Sequence, residues 1–282
     1  MSHKYPIYII SKGRFENPKT ARALDRMNVQ YNICVEPSEY AEYQKTIEGG
    51  NIIHLPDNFS ERGQGSIPVR NWVFENAIEQ GHDKHWILDD NIHTFYRMNK
   101  NTILEVQNDT TFKACEDFTG RFRNVGLSGM QYDKFVMAKA HISPFYKNTR
   151  IYSCILINHA IPFRWRGRYN EDTDLSLRCL KAGWNTILFN AFPCGKMVSM
   201  RDKGGNTDTI YNTGDNRREF AESLRRQHPD LVKVVWRYNR WHHQVDYRPF
   251  KNRKLEYRDD YVPSGEKVNN YGMALRRPAT AT

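Results

Sequence analysis

The chain has 282 residues, with 42 Lys and Arg against 32 Asp and Glu, a formal surplus of +10. That length suits one large domain, or one domain with an appendage, and no stretch approaches the roughly 20 apolar residues of a membrane span. The surplus favours polyanionic partners such as nucleic acid or nucleotide phosphates. Five scattered cysteines with no CxxC pair indicate neither a zinc site nor a disulfide framework and suit a reducing cytoplasm.

The opening apolar run, Tyr5 to Ile10, is too short for a secretory signal and reads as a first strand entering a Gly-containing loop, Ser11 to Arg14. A helix follows, with Asn17 at its N-cap and Pro18 at its first position. "QYNICVEP" is a second strand stopped by Pro37, and "NIIHLP" a third. After the Gly-rich "GQGS", Val69, Val73, Ala77 and Ile78 recur at helical spacing up to Gly81, and "KHWILDD" is a fourth strand. Strands alternating with helices predict βαβ units and a largely parallel α/β sheet, whose ligands bind beyond the carboxyl ends of the strands. In the middle of the chain, "TTFKACEDFTGRFRNVGLSG" reads as a helix broken at Asn124 to Gly129, and Arg150 to Phe163 is strand-rich. The acidic cluster Glu171-Asp172-Thr173-Asp174 opens a helix ended by Gly183, with carboxylates capping its first turn. "NTILF" is a further strand, and beyond about residue 205 the chain turns polar, then basic and aromatic.

Four motifs can carry chemistry, and each also has a plain structural reading. Asp89-Asp90-Asn91 ends an apolar strand; such oxygens suit Mg²⁺ or Mn²⁺, but Asp and Asn are also ordinary turn residues. Arg70-Asn71 lies early in a helix, where it suits a phosphate or simply a polar face. "NEDTDLSL" offers carboxylates as general bases or as caps. In "VVWRYNRWHHQVDYRPFKNRK", cations and aromatics suit phosphates and exposed bases, or a core helix with a solvated face.

The order of these motifs is more informative than any one of them. Together, "ARALDRMNVQYNICVEPSEYAEY", "PVRNWVFENAIEQG", "HWILDDNI", "RNVGLSG" and "GRYNEDTDLSLRCLKAGWNTILFNAF" resemble the GT-A glycosyltransferases. Within them they resemble the phage TET-associated branch, implicated in adding sugars to 5-hydroxymethylpyrimidines in viral DNA. The likeness spans roughly residues 4 to 210. It implies a GT-A catalytic domain over 1–205, with a nucleotide-sugar half (1–92) and an acceptor half (93–205). Residues 206–282 would be a basic extension serving as lid and DNA contact.

The resemblance also implies roles. Ser11, Lys12, Gly13, Arg14 and Glu36 would meet uridine and ribose, and Arg70 and Asn71 the nucleotide or its diphosphate. Asp89 and Asp90 would hold ribose and a Mn²⁺ or Mg²⁺ ion. Asn91 stands where the motif's last Asp lies, and a neutral amide is a weaker metal ligand. Asp172 matches the catalytic base of inverting members, with Asp174 and Glu171 as rivals. Lys196, Arg201 and Lys203 would counter the leaving diphosphate. From Asn216 to Arg258, twelve Lys and Arg stand against five acids. There Arg237, Arg240, Trp241, His242, Arg248, Lys251 and Arg253 are the expected DNA contacts.

The leading expectation is a monomeric, metal-dependent enzyme of the infected host's cytoplasm. It would move a sugar from a UDP-sugar to 5-hydroxymethylcytosine in duplex DNA. A GT-A enzyme with a protein or glycan acceptor, and a basic nucleic-acid-binding module without catalysis, are the alternatives.

Overall fold

The computed structural model describes residues 3–99, 102–136, 142–196 and 216–263. Alternating apolar side chains on short strands build one mixed sheet. Its first half is βαβ: β1 (Ile7–Ile10), α1 (Lys19–Arg26), β2 (Asn32–Val35), α2 (Tyr40–Gln44), β3 (Asn51–His54), α3 (Ile67–Glu79) and β4 (Lys84–Asp89). The second half adds β5 (Ile92–Asn99), β6 (Thr102–Glu105), α4 (Thr110–Gly120), β7 (Val125–Tyr132), β8 (Phe145–Lys147), β9 (Cys154–Asn158), α5 (Glu171–Lys181) and β10 (Asn185–Lys196). The strand order is β3-β2-β1-β4-β9-β7-β10-β5-β6, with β8 also on β10. Among the described residues, seven of these ten strands run one way, while β5, β8 and β9 oppose them. The expected mixed, mostly parallel α/β sheet is therefore present.

Both faces of the sheet are apolar, as a sheet covered on two sides requires. On one face Ile7, Ile9, Ile33, Trp86 and Leu88 pack with Leu24 of α1 and Phe112 of α4. On the other, Tyr8, Ile10, Cys34 and Ile87 pack with Phe74 of α3 and Leu175 of α5. The period of two in β1 and β4 sorts neighbours onto opposite faces. All five cysteines are buried free thiols, and no helix among the described residues is long and apolar enough to cross a membrane.

The extension is structured where it is described. Helix α6 (Arg217–Gln227) and the hairpin β11 (Val232–Arg237) and β12 (Arg240–Val245) follow β10. Leu224, Leu231, Val232 and Phe250 share a third core with Leu177 and Leu180 of α5. Farther on, Arg123 N–H donates to Glu256 O (2.9 Å) and Arg258 N–H to Arg121 O (2.9 Å), tying the chain back across the α4–β7 turn.

Two sequence expectations need correction. Asn124 to Gly129 is not a helix break, because Val125–Tyr132 is a buried strand in mid-sheet. Its glycines mark close approach rather than a turn: a Cβ on Gly129 would lie 2.3 Å from Cys154 O. Helix α1 is not capped by Asn17 either; Pro18 sits at the N-cap and makes no side-chain cap bond. The hydroxyl of Thr20, in its first turn, instead donates to Asp89 O (2.7 Å), anchoring α1 to the acid turn.

The topology brings several chain segments to one sheet edge. β1, β2, β4, β7 and β10 end there, and the opposed strands β5 and β9 begin there. Ser11, Glu36, Asp89, Tyr132, Ser153 and Lys196 are therefore neighbours along one rim. Gly129→Ala is expected to lower stability by about 1–3 kcal/mol through overpacking between β7 and β9. Urea denaturation checks this, and an unchanged midpoint would contradict the close approach.

Candidate active site

Asp89, the last residue of β4, is held from both sides. Arg70 Nη2 donates to its Oδ1 (2.8 Å) and Lys196 Nζ to its Oδ2 (2.5 Å). The two cations come from distant parts of the chain, α3 and the end of β10. Their side chains are only 3% and 10% exposed, so the pairing takes place largely out of water. Burial alone would raise the Asp89 pKa, but Lys196 and then Arg70 hold it well below the usual carboxylate range. Asp89 in turn keeps the buried Lys196 ammonium charged, against a desolvation that opposes it.

Asp90 lies in the turn beyond the strand. Its Oδ1 pairs with Arg14, and Ser11 Oγ donates to its Oδ2 (2.9 Å). A short relay fixes this corner: Arg14 N–H donates to Tyr43 Oη (3.2 Å), and Tyr43 shares a 2.5 Å hydrogen bond with Ser11 Oγ. Burial raises the Asp90 pKa despite Arg14. Beside it, Glu36 accepts from Lys12 Nζ (2.6 Å), Ser60 N–H (2.6 Å) and Ser60 Oγ (2.7 Å). Gly13 N–H donates to Glu39 Oε2 (2.8 Å) at a positive φ of 67°, a conformation glycine adopts without steric cost. The structure thus gathers Ser11, Lys12, Gly13, Arg14 and Glu36 around the Asp90 end of the rim.

The acidic helix start faces the other end. Asn170 precedes α5 in a left-handed conformation (φ 56°), with no side-chain cap bond; its amide reaches Phe220 O instead (2.9 Å). The Asn170 side chain therefore does not cap this helix, and Glu171 and Asp172 in its first turn also face Arg70. Asp172 Oδ1 accepts from Trp165 Nε1 (3.1 Å) and its Oδ2 from Ser153 N–H (3.3 Å). Arg70 links the two acid groups: its Nη1 lies 3.5 Å from Asp172 and its Nη2 4.0 Å from Glu171. Three cations, Arg14, Arg70 and Lys196, face four carboxylates, Asp89, Asp90, Glu171 and Asp172. The undercompensated acid is Glu171, whose pKa burial and then the Asp172 charge push up to about 7.

Several residues at this site carry no motif in the sequence. Ser153 joins its parts: its carbonyl accepts from Asp89 N–H (2.8 Å), its amide donates to Asp172, and its Oγ accepts from Lys196 (2.6 Å). It does so at φ 63°, uncommon for a non-glycine residue and typical of strain held at functional sites. Tyr132 shares a 2.5 Å hydrogen bond with the same Oγ. Trp165 orients Asp172 and is itself gripped by Asn71 through a reciprocal pair of bonds to its backbone (3.0 and 2.8 Å). Asn71 thus positions Trp165, and reaches the carboxylate cluster only through it.

Asp174 is not brought to the cluster. It is fully buried against Arg166 (3.1 Å), Arg178 (2.9 Å) and His228 (2.8 Å), which joins α5 to the end of α6. Burial opposes its charge, but His228 and the arginines hold its pKa down. Lys203 and Arg201 lie outside the described residues.

A divalent ion needs several oxygen ligands. Here both oxygens of Asp89 and both of Asp90 already carry cations or a hydroxyl. The Asn91 side-chain oxygen is buried without a partner, one neutral donor only. Among the described residues, no group of three or more His, Cys, Asp or Glu side chains is arranged to hold a metal ion. As placed, these residues do not fit a divalent cation.

Of the expected DNA contacts, Arg237, Arg240, Trp241 and His242 cluster at the hairpin's turn. Trp241 meets Trp236 edge-on (5.2 Å between centroids) and lies under Arg218 (4.9 Å), while Arg240 Nε donates to His242 Nε2 (3.0 Å). Arg248 is exposed but paired with Asp246 (2.7 Å). Lys251 lines a cleft at the hairpin's base. Arg253 caps the end of α5, donating to Leu180 O (2.6 Å) and Trp184 O (2.7 Å).

A family model described as TET-Associated Glycosyltransferase matches residues 5–205. No curated protein matches the chain. Among solved structures, mannose-1-phosphate geranyltransferase from Thermus thermophilus is similar at 10% identity and a TM-score of 0.32, over 67% of this chain and 58% of that one. Mannose-6-phosphate isomerase from Helicobacter pylori is similar at 9% identity and a TM-score of 0.29, over 90% of this chain and 91% of that one.

Removing one partner of a buried charge cluster leaves the others uncompensated, so Asp174→Ala is expected to cost about 3 kcal/mol. Because its folded pKa lies below the unfolded value, this stability is complete above the unfolded pKa and is lost as the pH falls through the folded one. Asp172→Asn keeps one acceptor oxygen and removes one of four carboxylates facing three cations, so it should lower the melting temperature less than Asp174→Ala. Thermal melts of the two variants decide, and equal losses would contradict the division between them.

Proposed function

The chain belongs to the TET-associated glycosyltransferase family, and we propose that it moves a sugar from a UDP-sugar to the hydroxymethyl group of 5-hydroxymethylcytosine in duplex DNA. The observation that carries this reading is the Arg70 bridge. One guanidinium joins a cation-rich cradle at Asp89 to a carboxylate pair at Glu171 and Asp172. A transferase of this kind needs those two elements together: positive charge where the diphosphate leaves, and a base where the acceptor hydroxyl attacks.

In the proposed reaction the acceptor oxygen bonds to the anomeric carbon as the bond from that carbon to the diphosphate breaks. The electron pair departs with UDP, and the configuration inverts. The hydroxyl proton passes to the Glu171–Asp172 pair. Trp165 and Ser153 fix Asp172, and Glu171, raised to about 7, supplies a group whose pKa suits proton uptake near neutrality. Ser11 to Arg14 and Glu36, at the other end of the rim, are the proposed seat of the uridine and ribose.

The hairpin supports DNA as the acceptor. Tyr238 and Asn239 form its two-residue turn, both at positive φ (52° and 59°). Trp236 and Tyr238 are 53% and 86% exposed. Arg237 and Arg240 sit directly opposite each other in the ladder, where like charges are unfavourable. A polyanion relieves that repulsion, and exposed aromatics can stack on bases or fill the gap left by a flipped nucleotide. Helix α6 ties this hairpin to the site, since Arg218 covers Trp241 while Phe220 stacks on Tyr169 (3.9 Å) beside the start of α5.

Asp172→Asn should lower kcat by about 100-fold or more, and wild-type kcat/KM should rise with pH through about 7, a limb that Glu171→Gln removes. UDP release from hydroxymethylated but not unmodified duplexes, followed across pH, tests this; full activity of Asp172→Asn would refute the assignment. Replacing Arg237 and Arg240 by Ala should reduce the salt slope of duplex binding by about two. An unchanged slope places the DNA elsewhere.

A further inference from the structure

We infer that Lys196 and Arg70 take the place of a divalent metal ion in this site, receiving the charge of the leaving diphosphate directly, so that donor binding and transfer require no metal. This rests on the glycosyltransferase reading and concerns what meets its diphosphate.

The placement of Lys196 is built into the sheet. It ends β10, where that strand pairs with the start of β5 (Lys196 opposite Ile92), across a register shift between Gly195 and Lys196. Gly195 lets the two strands approach, since a Cβ there would lie 2.6 Å from the His93 ring. The ammonium is thereby delivered to the end of the acid strand, 2.5 Å from Asp89 and 2.6 Å from Ser153 Oγ. Arg70 arrives from the opposite side of the same carboxylate, and its buried Nη1 lies 3.5 Å from Asp172 without forming a hydrogen bond. That N–H group is ion-paired but not hydrogen-bonded, and a phosphate oxygen is an acceptor whose geometry a guanidinium group fits.

The acids tell the same story. A metal ion at Asp89 would have to displace both cations from its oxygens, or sit against them and be repelled. Asp90 is engaged by Arg14 and Ser11, and position 91 carries an amide instead of a third charge. The carboxylates therefore serve to hold cationic side chains in place and charged, rather than to hold an ion. In the reaction, the bond from the anomeric carbon to the diphosphate oxygen breaks and its electron pair goes to that oxygen. Lys196 and Arg70 hydrogen-bond the developing anion without giving up a proton, because Asp89 stabilises Lys196, and Asp172 and then Asp89 stabilise Arg70. The proton of the attacking hydroxyl leaves on the opposite side, to Glu171 and Asp172.

Calorimetric binding of UDP, GDP, ADP and CDP to the full chain, in EDTA and in millimolar Mn²⁺, tests the inference. The expected result is that the best-binding nucleotide has the same Kd in both buffers to within about twofold. Lys196→Met should weaken it by about tenfold or more, and Lys196→Arg should retain most of the affinity. Transfer to hydroxymethylated DNA should persist in EDTA. Binding that appears only with Mn²⁺ or Mg²⁺ would overturn the inference whether or not the Lys196 variants fold. Unchanged binding by a folded Lys196→Met would also overturn it. Metal-independent binding of a nucleotide other than UDP would sustain the inference and overturn the UDP assignment instead. No binding of any nucleotide in either buffer would overturn both.

Discussion

The site depends on how buried charge is compensated at the end of β4. An isolated carboxylate out of water is too costly to remain ionised, and a lone buried ammonium or guanidinium is no better. Asp89, Arg70 and Lys196 solve the problem jointly: the two cations keep Asp89 ionised, Asp89 keeps Lys196 charged, and Asp172 with Asp89 keeps Arg70 charged. Breaking one partner would strand the rest, so the trio fixes the relative positions of α3, β4 and β10. The same constraint explains Glu171: with three cations facing four carboxylates, one acid is left undercompensated, and its pKa rises toward neutrality.

The fold makes this compensation possible by sending distant segments to one rim. Parallel strands deliver their ends there, and the reversed strand β9 delivers its beginning. Ser153 stands at that reversal. Its positive φ turns the amide to Asp172 and the carbonyl to Asp89, while its hydroxyl accepts from Lys196. One strained residue thus connects the acid strand, the acidic helix and the cation strand. The third core, shared by α5 and the extension, fixes the basic hairpin to the helix that carries Glu171 and Asp172.

Much of this was legible in the sequence. Helical spacing from Val69 to Ile78 gave α3, and the apolar runs before Ser11, Glu36 and Asp89 gave the strands that end at the rim. Those signals are local, and local periodicity reports burial faithfully. Gly126 and Gly129 look in sequence like a chain break, whereas in the fold they allow close packing, Gly126 against Ile161 and Trp184 and Gly129 against the backbone of β9. Asp172 and Asp174, two positions apart on one helix, were not separable by sequence either. Their difference lies in Trp165 on one side and His228 on the other, partners 7 and 54 residues away. Ser153 carried no motif at all, since its role comes from backbone geometry. The acid triplet was correctly placed at the strand's end, but its partners, Arg14 and Lys196, are 76 and 107 residues distant along the chain.

The proposed reaction joins a sugar to a hydroxymethylated base. Mass analysis of nucleosides from hydroxymethylcytosine duplexes, incubated with the protein and a panel of UDP-sugars, addresses it directly. At least one donor should add the mass of one sugar residue to hydroxymethylcytosine, and unmodified duplexes should gain none. A panel that leaves every hydroxymethylcytosine unchanged, or modifies ordinary cytosine equally, would contradict it.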